Sequence, residues 1–287
     1  MKLEFEFLPR KLPTTMPDPE VAAAIGDRLW SRAIVYGSEL AERFFAATHK
    51  VPCKVRVGWT FTKRELDAVR HLVLVARKVL GESSEAVGKN RDYRDALPPA
   101  LSTRYGVYKV REKAFVSDKR LKPDQIACLD LSGVYVVPTA LGREILAACG
   151  GFELGPVLDV RTEAPIKDMA MLIARHFFPE FVADALVREL HDVDGSTVPH
   201  WDGPPTQSDV SLEDWPALSR DRRPEDAVGD RGYIVTQDFR QALIERKVRG
   251  VNFEPVLVEG SDLHQAVLRL WAEFHERLAI NPANRLR

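Results

Sequence analysis

Hydrophobic and polar positions along the first part of the chain predict alternating strands and helices. Apolar and polar residues alternate over residues 2–8 and 54–60, which predicts two half-buried strands. Between them, residues 17–30 and the stretch around Phe44 carry apolar side chains at helical spacing, which predicts two amphipathic helices. The N-terminal part is therefore expected to mix α and β structure.

A capping box follows the second of these strands. Thr62 and Glu65 have the spacing at which a hydroxyl and a carboxylate each accept a hydrogen bond from the other residue's backbone N–H. We expect the helix that they start to end at Gly81, a residue that tolerates the left-handed conformation. Its inner face is predicted to consist of Leu66, Val69, Val73 and Leu80.

The most informative pattern is an internal repeat. Residues 135–158 align with residues 233–257 with one gap, placed before a shared glycine. The six identical pairs are Tyr135/Tyr233, Val137/Val235, Gly151/Gly250, Pro156/Pro255, Val157/Val256 and Leu158/Leu257. Each copy predicts a strand, a helix, a glycine stop and a second strand that contains proline. Because proline cannot donate to a sheet ladder, the strand at Pro255 is expected at a sheet edge or with a bulge.

The second copy has the clearer helix. Thr236 or Asp238 is placed to cap it, Gly250 is placed to end it, and its buried face is predicted to hold Phe239, Leu243 and Ile244. Two further helices are predicted between the copies, over residues 166–178 and 181–190.

A final helix follows the second copy, with Ser261 or Asp262 as its cap. It carries a continuous apolar stripe, which we expect to pack on the sheet of the repeats: Leu263, Val267, Leu270, Trp271, Phe274 and Leu278. The resulting prediction is an α+β fold of two mixed α/β parts, residues 1–129 and 130–287. The second part holds two strand–helix–strand repeats around a helical insert, and an acidic loop over residues 192–230.

Composition narrows the class of protein. The 287 residues are 45 % hydrophobic and 29 % charged, as in folded soluble chains. A net charge of -1 argues against a dedicated nucleic-acid binder. No apolar run is long enough for a membrane span, and the N-terminus lacks the apolar core of a secretory signal. Three scattered cysteines without metal-ligand spacing indicate a reduced, cytoplasmic setting, with Cys53 and Cys149 as small buried hydrophobes.

The near-neutral charge hides an uneven distribution. Residues 192–230 hold ten acidic residues, three arginines, five prolines and two tryptophans, a net of -7, so the other residues carry +6. Aromatic anchors among acidic side chains are typical of a contact surface for a basic protein. The predicted partner-binding residues are Trp201, Asp202, Asp209, Glu213, Asp214 and Trp215. Alternatively, the two tryptophans fold back over the edge of the core.

The usual catalytic motifs are absent: no phosphate-binding loop, zinc-protease pair, nucleophile elbow or dinucleotide fingerprint occurs. One cluster of metal-ligand types remains, and it is the basis of an alternative function as a metal-dependent hydrolase or nuclease: His191, Asp192, Asp194 and His200. A polar, solvated loop explains the same residues, and the bidentate acid of a calcium loop is missing because Gly203 stands there. No cofactor is expected.

A basic strip offers a third interpretation, a nucleic-acid-binding regulator. It consists of Lys109, Arg111, Lys113, Lys119, Arg120 and Lys122. No aromatic residues interleave with these side chains in the manner of a single-strand binding surface, and a solvated strand face explains them as well.

The segment over residues 232–256 resembles the closing segment of certain bacterial polymorphic-toxin immunity proteins. That segment has a strand ending in V-S/T, a helix with an F-x-x-A-L-like core, and then G-V-x-F-x-P-V. The matching residues are Val235, Thr236, Phe239, Ala242, Leu243, Gly250, Val251, Phe253, Pro255 and Val256. The match covers roughly a tenth of the chain, and its residues build structure rather than a site.

The resemblance implies a cytosolic protein that acts without catalysis and blocks a cognate toxin by occluding it. Relatives of the double-CxxCG group carry two cysteine pairs that look zinc-binding. This chain has a lone Cys149-Gly150-Gly151 instead, so no zinc site is carried over. The predicted function is therefore that of an immunity or interaction protein with a basic toxin as its partner.

Overall fold

The structure is a computed structural model of the chain. It describes residues 1–9, 18–25, 33–48, 53–95, 113–117, 120–129, 134–174, 186–191, 197–201, 203–208, 216–220, 233–279 and 285–286. Helices and strands contribute about equally, which confirms the predicted α+β class.

Seven helices lie in the described residues: α1 (Pro19–Ile25), α2 (Glu39–Thr48), α3 (Lys63–Asp67), α4 (Ser84–Asp95), α5 (Thr139–Cys149), α6 (Gln237–Glu245) and α7 (Asp262–Ala279). None of these described helices has the length and apolar character needed to cross a membrane. The strands of the same residues are β1 (Lys2–Pro9), β2 (Ile34–Val35), β3 (Cys53–Thr60), β4 (His71–Ala76), β5 (Val79–Leu80), β6 (Ala114–Val116), β7 (Ala127–Leu129), β8 (Tyr135–Pro138), β9 (Glu153–Asp159), β10 (Pro165–Ile173), β11 (Val187–His191), β12 (Thr197–Trp201), β13 (Thr206–Gln207), β14 (Leu218–Arg220), β15 (Tyr233–Thr236), β16 (Val251–Pro255), β17 (Leu257–Val258) and β18 (Arg285–Leu286).

These strands form three larger sheets. Sheet I has the order β18-β3-β1-β2, sheet II the order β5-β7-β8-β10-β9-β6, and sheet III the order β14-β15-β4-β16. The pairs β11–β12 and β13–β17 are separate. Each larger sheet takes strands from both sides of residue 129, so a chain boundary between residues 129 and 130 does not separate the sheets.

Sheet I is covered by helices from both ends of the chain. The alternation predicted for β1 and β3 is observed, with Leu3 and Phe5 buried. Trp271 and Phe274 of α7 lie in the same hydrophobic cluster, and the rings of Phe5 and Phe274 are 5.4 Å apart. The prediction that α7 packs on the sheet of the repeats is therefore wrong. An apolar stripe shows that a face is buried, but it does not identify what covers that face.

Three predicted helices contain strands instead. The capping box of Thr62 and Glu65 is present, but α3 ends at Asp67 and the chain continues as β4. The segment predicted as a helix over residues 166–178 is β10 as far as it is described, and the second helix, over residues 181–190, gives way to β11 from Val187 onward. Both β4 and β10 are central strands buried on two faces. Such strands show an uninterrupted apolar run that the helical pattern also matches.

The repeat forms two strand–helix–strand units, as predicted. In sheet II, β8 and β9 flank β10, and α5 connects them. In sheet III, β15 and β16 flank β4, and α6 connects them. The registers are equivalent, because Ala170 lies opposite Val137 and Pro156 while Leu72 lies opposite Val235 and Pro255.

The equivalence extends to two further strands in each of the two strand–helix–strand units. Antiparallel strand β7 joins β8 as β14 joins β15. Parallel strand β6 pairs Phe115 with Leu158, as β13 pairs Thr206 with Leu257. We call residues 114–174 unit A, and residues 206–258 together with β4 unit B. The prediction for the proline strand of the second copy is confirmed, because β16, which ends at Pro255, is an edge strand. Its counterpart β9 is an internal strand, and its pairing with β10 is irregular.

Two tyrosines join the units. Tyr135 in sheet II donates a hydrogen bond of 2.7 Å to the carbonyl of Leu74 in sheet III. Tyr233 in sheet III donates one of 2.8 Å to the carbonyl of Leu172 in sheet II. The two rings meet edge to face at 5.0 Å. The contact is therefore nearly symmetric between the units.

Helix α6 ends differently from the prediction. Thr236 caps it, and Phe239 and Leu243 are buried as expected, but Ile244 is 45 % exposed. Lys247, at φ 50°, provides the left-handed residue after the helix, and the N–H of Val248 then reaches back to Leu243 at 2.9 Å. Gly250 is therefore not the helix stop.

Gly250 and its aligned partner Gly151 are required for close backbone contacts. Their φ angles are 91° and 71°. A Cβ at Gly250 would collide with the carbonyl oxygen of Ile126, and one at Gly151 would lie 2.6 Å from the backbone nitrogen of Ala217. Ile126 and Ala217 directly precede β7 and β14, so each glycine packs one unit against the equivalent point of the other.

Gly250→Ala is expected to lower the free energy of unfolding by about 3 kcal/mol or more, since left-handed strain and a backbone collision act together. Gly151→Ala should lose a similar amount. Urea unfolding followed by circular dichroism measures both. Gly81→Ala is the control, because a Cβ there meets nothing within 4 Å. Equal stability of the Gly250 and Gly81 variants would contradict the packing role.

Candidate partner-binding site

The predicted contact residues follow the hairpin of β11 and β12. Trp201 is the last residue of β12 and pairs with Val187. The other members lie outside the described residues: Asp202, Asp209, Glu213, Asp214 and Trp215. The structure therefore defines the framework around this site rather than its side chains.

The base of the hairpin is fixed on sheet I. Leu186, directly before β11, is fully buried in the cluster under sheet I. Gly203 lies against it, since a Cβ on Gly203 would be 3.1 Å from Leu186 and 3.3 Å from the indole nitrogen of Trp59. The entry and exit of the hairpin are thus packed together on the core.

The acidic segment that follows is anchored at both of its ends. Before it, the Leu257 N–H donates to the Pro205 carbonyl at 2.8 Å, and the Glu259 N–H donates to the Gln207 carbonyl at 2.9 Å. After it, the Thr236 N–H donates to the Ala217 carbonyl at 3.1 Å and β14 joins sheet III. We call residues 208–215, which span these anchors, the acidic segment.

The alternative metal cluster is split by the hairpin register. His191 pairs with Thr197 and His200 pairs with Arg188. The two histidine positions are three steps apart on the ladder, about 10 Å, and on opposite faces. Asp192 and Asp194 lie outside the described residues. Within the described part of the chain, no group of three His, Cys, Asp or Glu side chains is arranged to hold a metal ion.

The described cysteine side chains behave as structural residues. Burial raises the pKa of the Cys149 thiol to about 11, and its sulfur contacts the Ile145 carbonyl at 3.1 Å. Cys128 is buried in β7. A thiol with a raised pKa holds little thiolate near neutral pH, so Cys149 is a poor nucleophile.

A buried polar pair lies at the first anchor of the acidic segment. His71 and Gln207 are 3 % and 4 % exposed, and the contact with the Gln207 side chain favours the charged imidazole. Burial and the charge of Arg70 outweigh it and lower the His71 pKa from 6.5 to about 4. The equivalent residues of unit A are the apolar Met169 and Val116. Sequence reasoning missed this pair because His71 opens an apolar run and β13 is only two residues long.

The residues of the family resemblance all take structural roles here. Val235, Ala242 and Val256 are buried, Thr236 caps α6, and Gly250 makes its backbone contact. No protein-family model matches the chain, and no curated protein matches it significantly. The comparisons therefore neither add to the resemblance nor replace it.

We expect the stability of the protein to fall as the pH drops from 6.5 to 4. Over this range His71 stays neutral in the folded state, while in the unfolded state the imidazole binds a proton. The free energy of unfolding therefore falls with the slope of one bound proton, by about 3 kcal/mol in total. Urea unfolding at a series of pH values measures it. In the His71→Met, Gln207→Val double variant, which copies unit A, that contribution should vanish.

His275→Gln is the control, since His275 is exposed on α7 and should leave the acid-dependent loss unchanged. An identical pH slope in the double variant and the native protein would show that another group is responsible.

Proposed function

We propose that this chain is a cytosolic immunity protein that binds a cognate protein toxin with a basic surface and neutralises it by occlusion. The acidic segment and the flanking Trp201 and Asp202 form the proposed contact site. The observation that carries the proposal is the anchoring of that segment. The segment is preceded by β13 and followed by β14, and hydrogen bonds hold both of these strands on the core.

Anchoring matters because binding loses free energy to the ordering of loops. The chain between the anchors at Gln207 and Ala217 is nine residues long and loses less conformational entropy than a free tail of that length. Acidic side chains on such a segment steer a basic partner and exclude acidic ones. Trp215, two residues before the anchor at Ala217, offers the aromatic contact on which interface affinity commonly depends.

The resemblance supports the same proposal from another direction. Its G-V-x-F-x-P-V motif corresponds to β16, the edge strand of sheet III. Phe253 there packs on the core cluster and lies 5.7 Å from the guanidinium of Arg240. These contacts stabilise the fold, so the motif indicates the kind of fold. The acidic segment would determine which partner is bound.

The product of the neighbouring gene is the first partner to test, because immunity genes sit beside their toxins. Co-expression should yield a complex, and this chain should protect cells from that product. Replacing Asp209, Glu213 and Asp214 with lysine should weaken the complex about a hundredfold or more and abolish protection, since like charges then face each other. Isothermal titration calorimetry measures the affinity.

The matched control reverses three acids elsewhere: Asp168, Glu273 and Glu276, all exposed. It should bind within about threefold of the native protein, because charges outside an interface mainly alter the encounter rate. A neighbouring product that is harmless to cells, or a complex that is indifferent to the acidic segment, would contradict the proposal.

A further inference from the structure

The acidic segment has a counterpart in unit A. Residues 117–125 lie between β6 and Ile126, which directly precedes β7, and residues 208–216 lie between β13 and Ala217, which directly precedes β14. Each of these two connections is nine residues long. The two connections share Ser117/Ser208, Asp118/Asp209 and Leu121/Leu212. Their charges differ in sign. Besides the shared aspartate, the connection of unit B carries Glu213 and Asp214, whereas that of unit A carries Lys119, Arg120, Lys122 and Asp124. The net charges are therefore -3 and +1.

The basic connection belongs to a larger cationic surface. We call this surface the basic face, and its described residues are Arg77, Lys78, Arg120, Lys122, Lys247 and Arg249. Backbone hydrogen bonds fix its three segments to one another. The N–H groups of Arg77 and Lys78 donate to the Gly250 carbonyl at 2.7 and 3.1 Å, and the Arg249 N–H donates to the Asp124 carbonyl at 2.7 Å.

These cations are in excess of the acids that accompany them. Asp124 binds Arg249 at 2.6 Å, and this contact, with the charge of Lys122, lowers the pKa of the Asp124 carboxyl. Arg77, Lys122 and Lys247 are all exposed. The basic face therefore carries a net positive charge on segments that backbone hydrogen bonds join to one another.

The scaffold itself does not require these cations. Lys247 aligns with Cys149, and Lys122 aligns with Glu213. Arg249 is the extra residue at the gap of the repeat. Unit A makes the equivalent glycine contact through Gly151 without a basic residue at these positions. The positive charges of Lys122, Lys247 and Arg249 are thus specific to this one of two equivalent junctions, while Arg77 aligns with a basic residue, Arg175.

Apolar side chains adjoin the basic face. In the described part of the chain, the large hydrophobic side chains that are exposed are Val79, at 44 %, and Ile244, at 45 %. Val79 follows Lys78 directly, and the carbonyl of Ile244 accepts a hydrogen bond of 3.0 Å from the N–H of Lys247. Aliphatic side chains beside cations suit a protein interface. Single-stranded nucleic acid is instead bound by aromatic platforms.

We propose that the basic face, with Val79 and Ile244, is a docking surface for a protein that presents acidic and apolar side chains together. The charge complementarity is the opposite of that proposed for the acidic segment. The proposal does not depend on the identity of a toxin, and it stands or falls separately from the immunity function.

The binding test uses the full chain and three labelled probes: polyglutamate, a copolymer of glutamate and tyrosine, and an oligothymidylate of equal charge. We expect the copolymer to bind most tightly in fluorescence anisotropy. The triple variant Arg77→Glu, Lys122→Glu, Lys247→Glu should weaken copolymer binding about tenfold or more. Val79→Ser with Ile244→Ser should remove the preference for the copolymer over polyglutamate.

The control triple variant reverses exposed cations elsewhere, Arg56→Glu, Arg161→Glu and Lys167→Glu, and should bind like the native chain. Carbodiimide coupling joins lysine amines to bound glutamates and needs no variant. Mass spectrometry of the native chain with the copolymer should find the links at Lys78, Lys122 and Lys247.

Three results would overturn the proposal. Links concentrated on Lys167 or other lysines would place the copolymer elsewhere. Tighter binding of the oligothymidylate would identify the surface as a nucleic-acid site. Formation of dimers in sedimentation velocity, abolished by the basic-face triple variant, would show that a second copy of this chain is the occupant.

Discussion

The centre of the molecule depends on two buried tyrosine hydroxyls, each bound to a strand of the opposite sheet. Tyr135 reaches the Leu74 carbonyl and Tyr233 reaches the Leu172 carbonyl, and these are the central strands β4 and β10. A buried hydroxyl left without its partner costs about 1–3 kcal/mol. Sheets II and III therefore stabilise each other, and neither unit has its native environment until the other has formed. Gly151 and Gly250 extend the same mutual dependence to the backbone.

The sequence patterns correctly predicted the features that depend on interactions between residues close together in the chain. The capping box of Thr62, the alternation of β1 and the strand–helix–strand order of the repeat all follow from residues near one another in the sequence. The central strands β4 and β10 were mistaken for helices because burial on both faces removes the alternation. Nothing in the apolar stripe of α7 could identify sheet I as its partner, since that choice depends on residues more than 200 positions away.

The same limit applies to the candidate site. Composition alone located the acidic segment, because a net charge of -7 over residues 192–230 is visible in any count. Its anchors were not visible. Strand β13 has two residues, both polar, and its partner β17 has two more, so neither shows a periodicity. The relation of residues 208–216 to residues 117–125 emerges only once the strand pairing aligns them, since their sequences share three residues.

Comparison of the two units distinguishes the residues that stabilise the fold from those that give a surface its charge. At equivalent positions the two units keep their tyrosines, their glycine contacts and their strand registers, and these all serve packing. They differ in the charge of the connections, residues 117–125 and 208–216. The net of -7 over residues 192–230 and the +6 of the other residues nearly cancel in the whole-chain sum. A net charge of -1 is therefore what a chain with one acidic and one basic face would carry, and it argues against neither face.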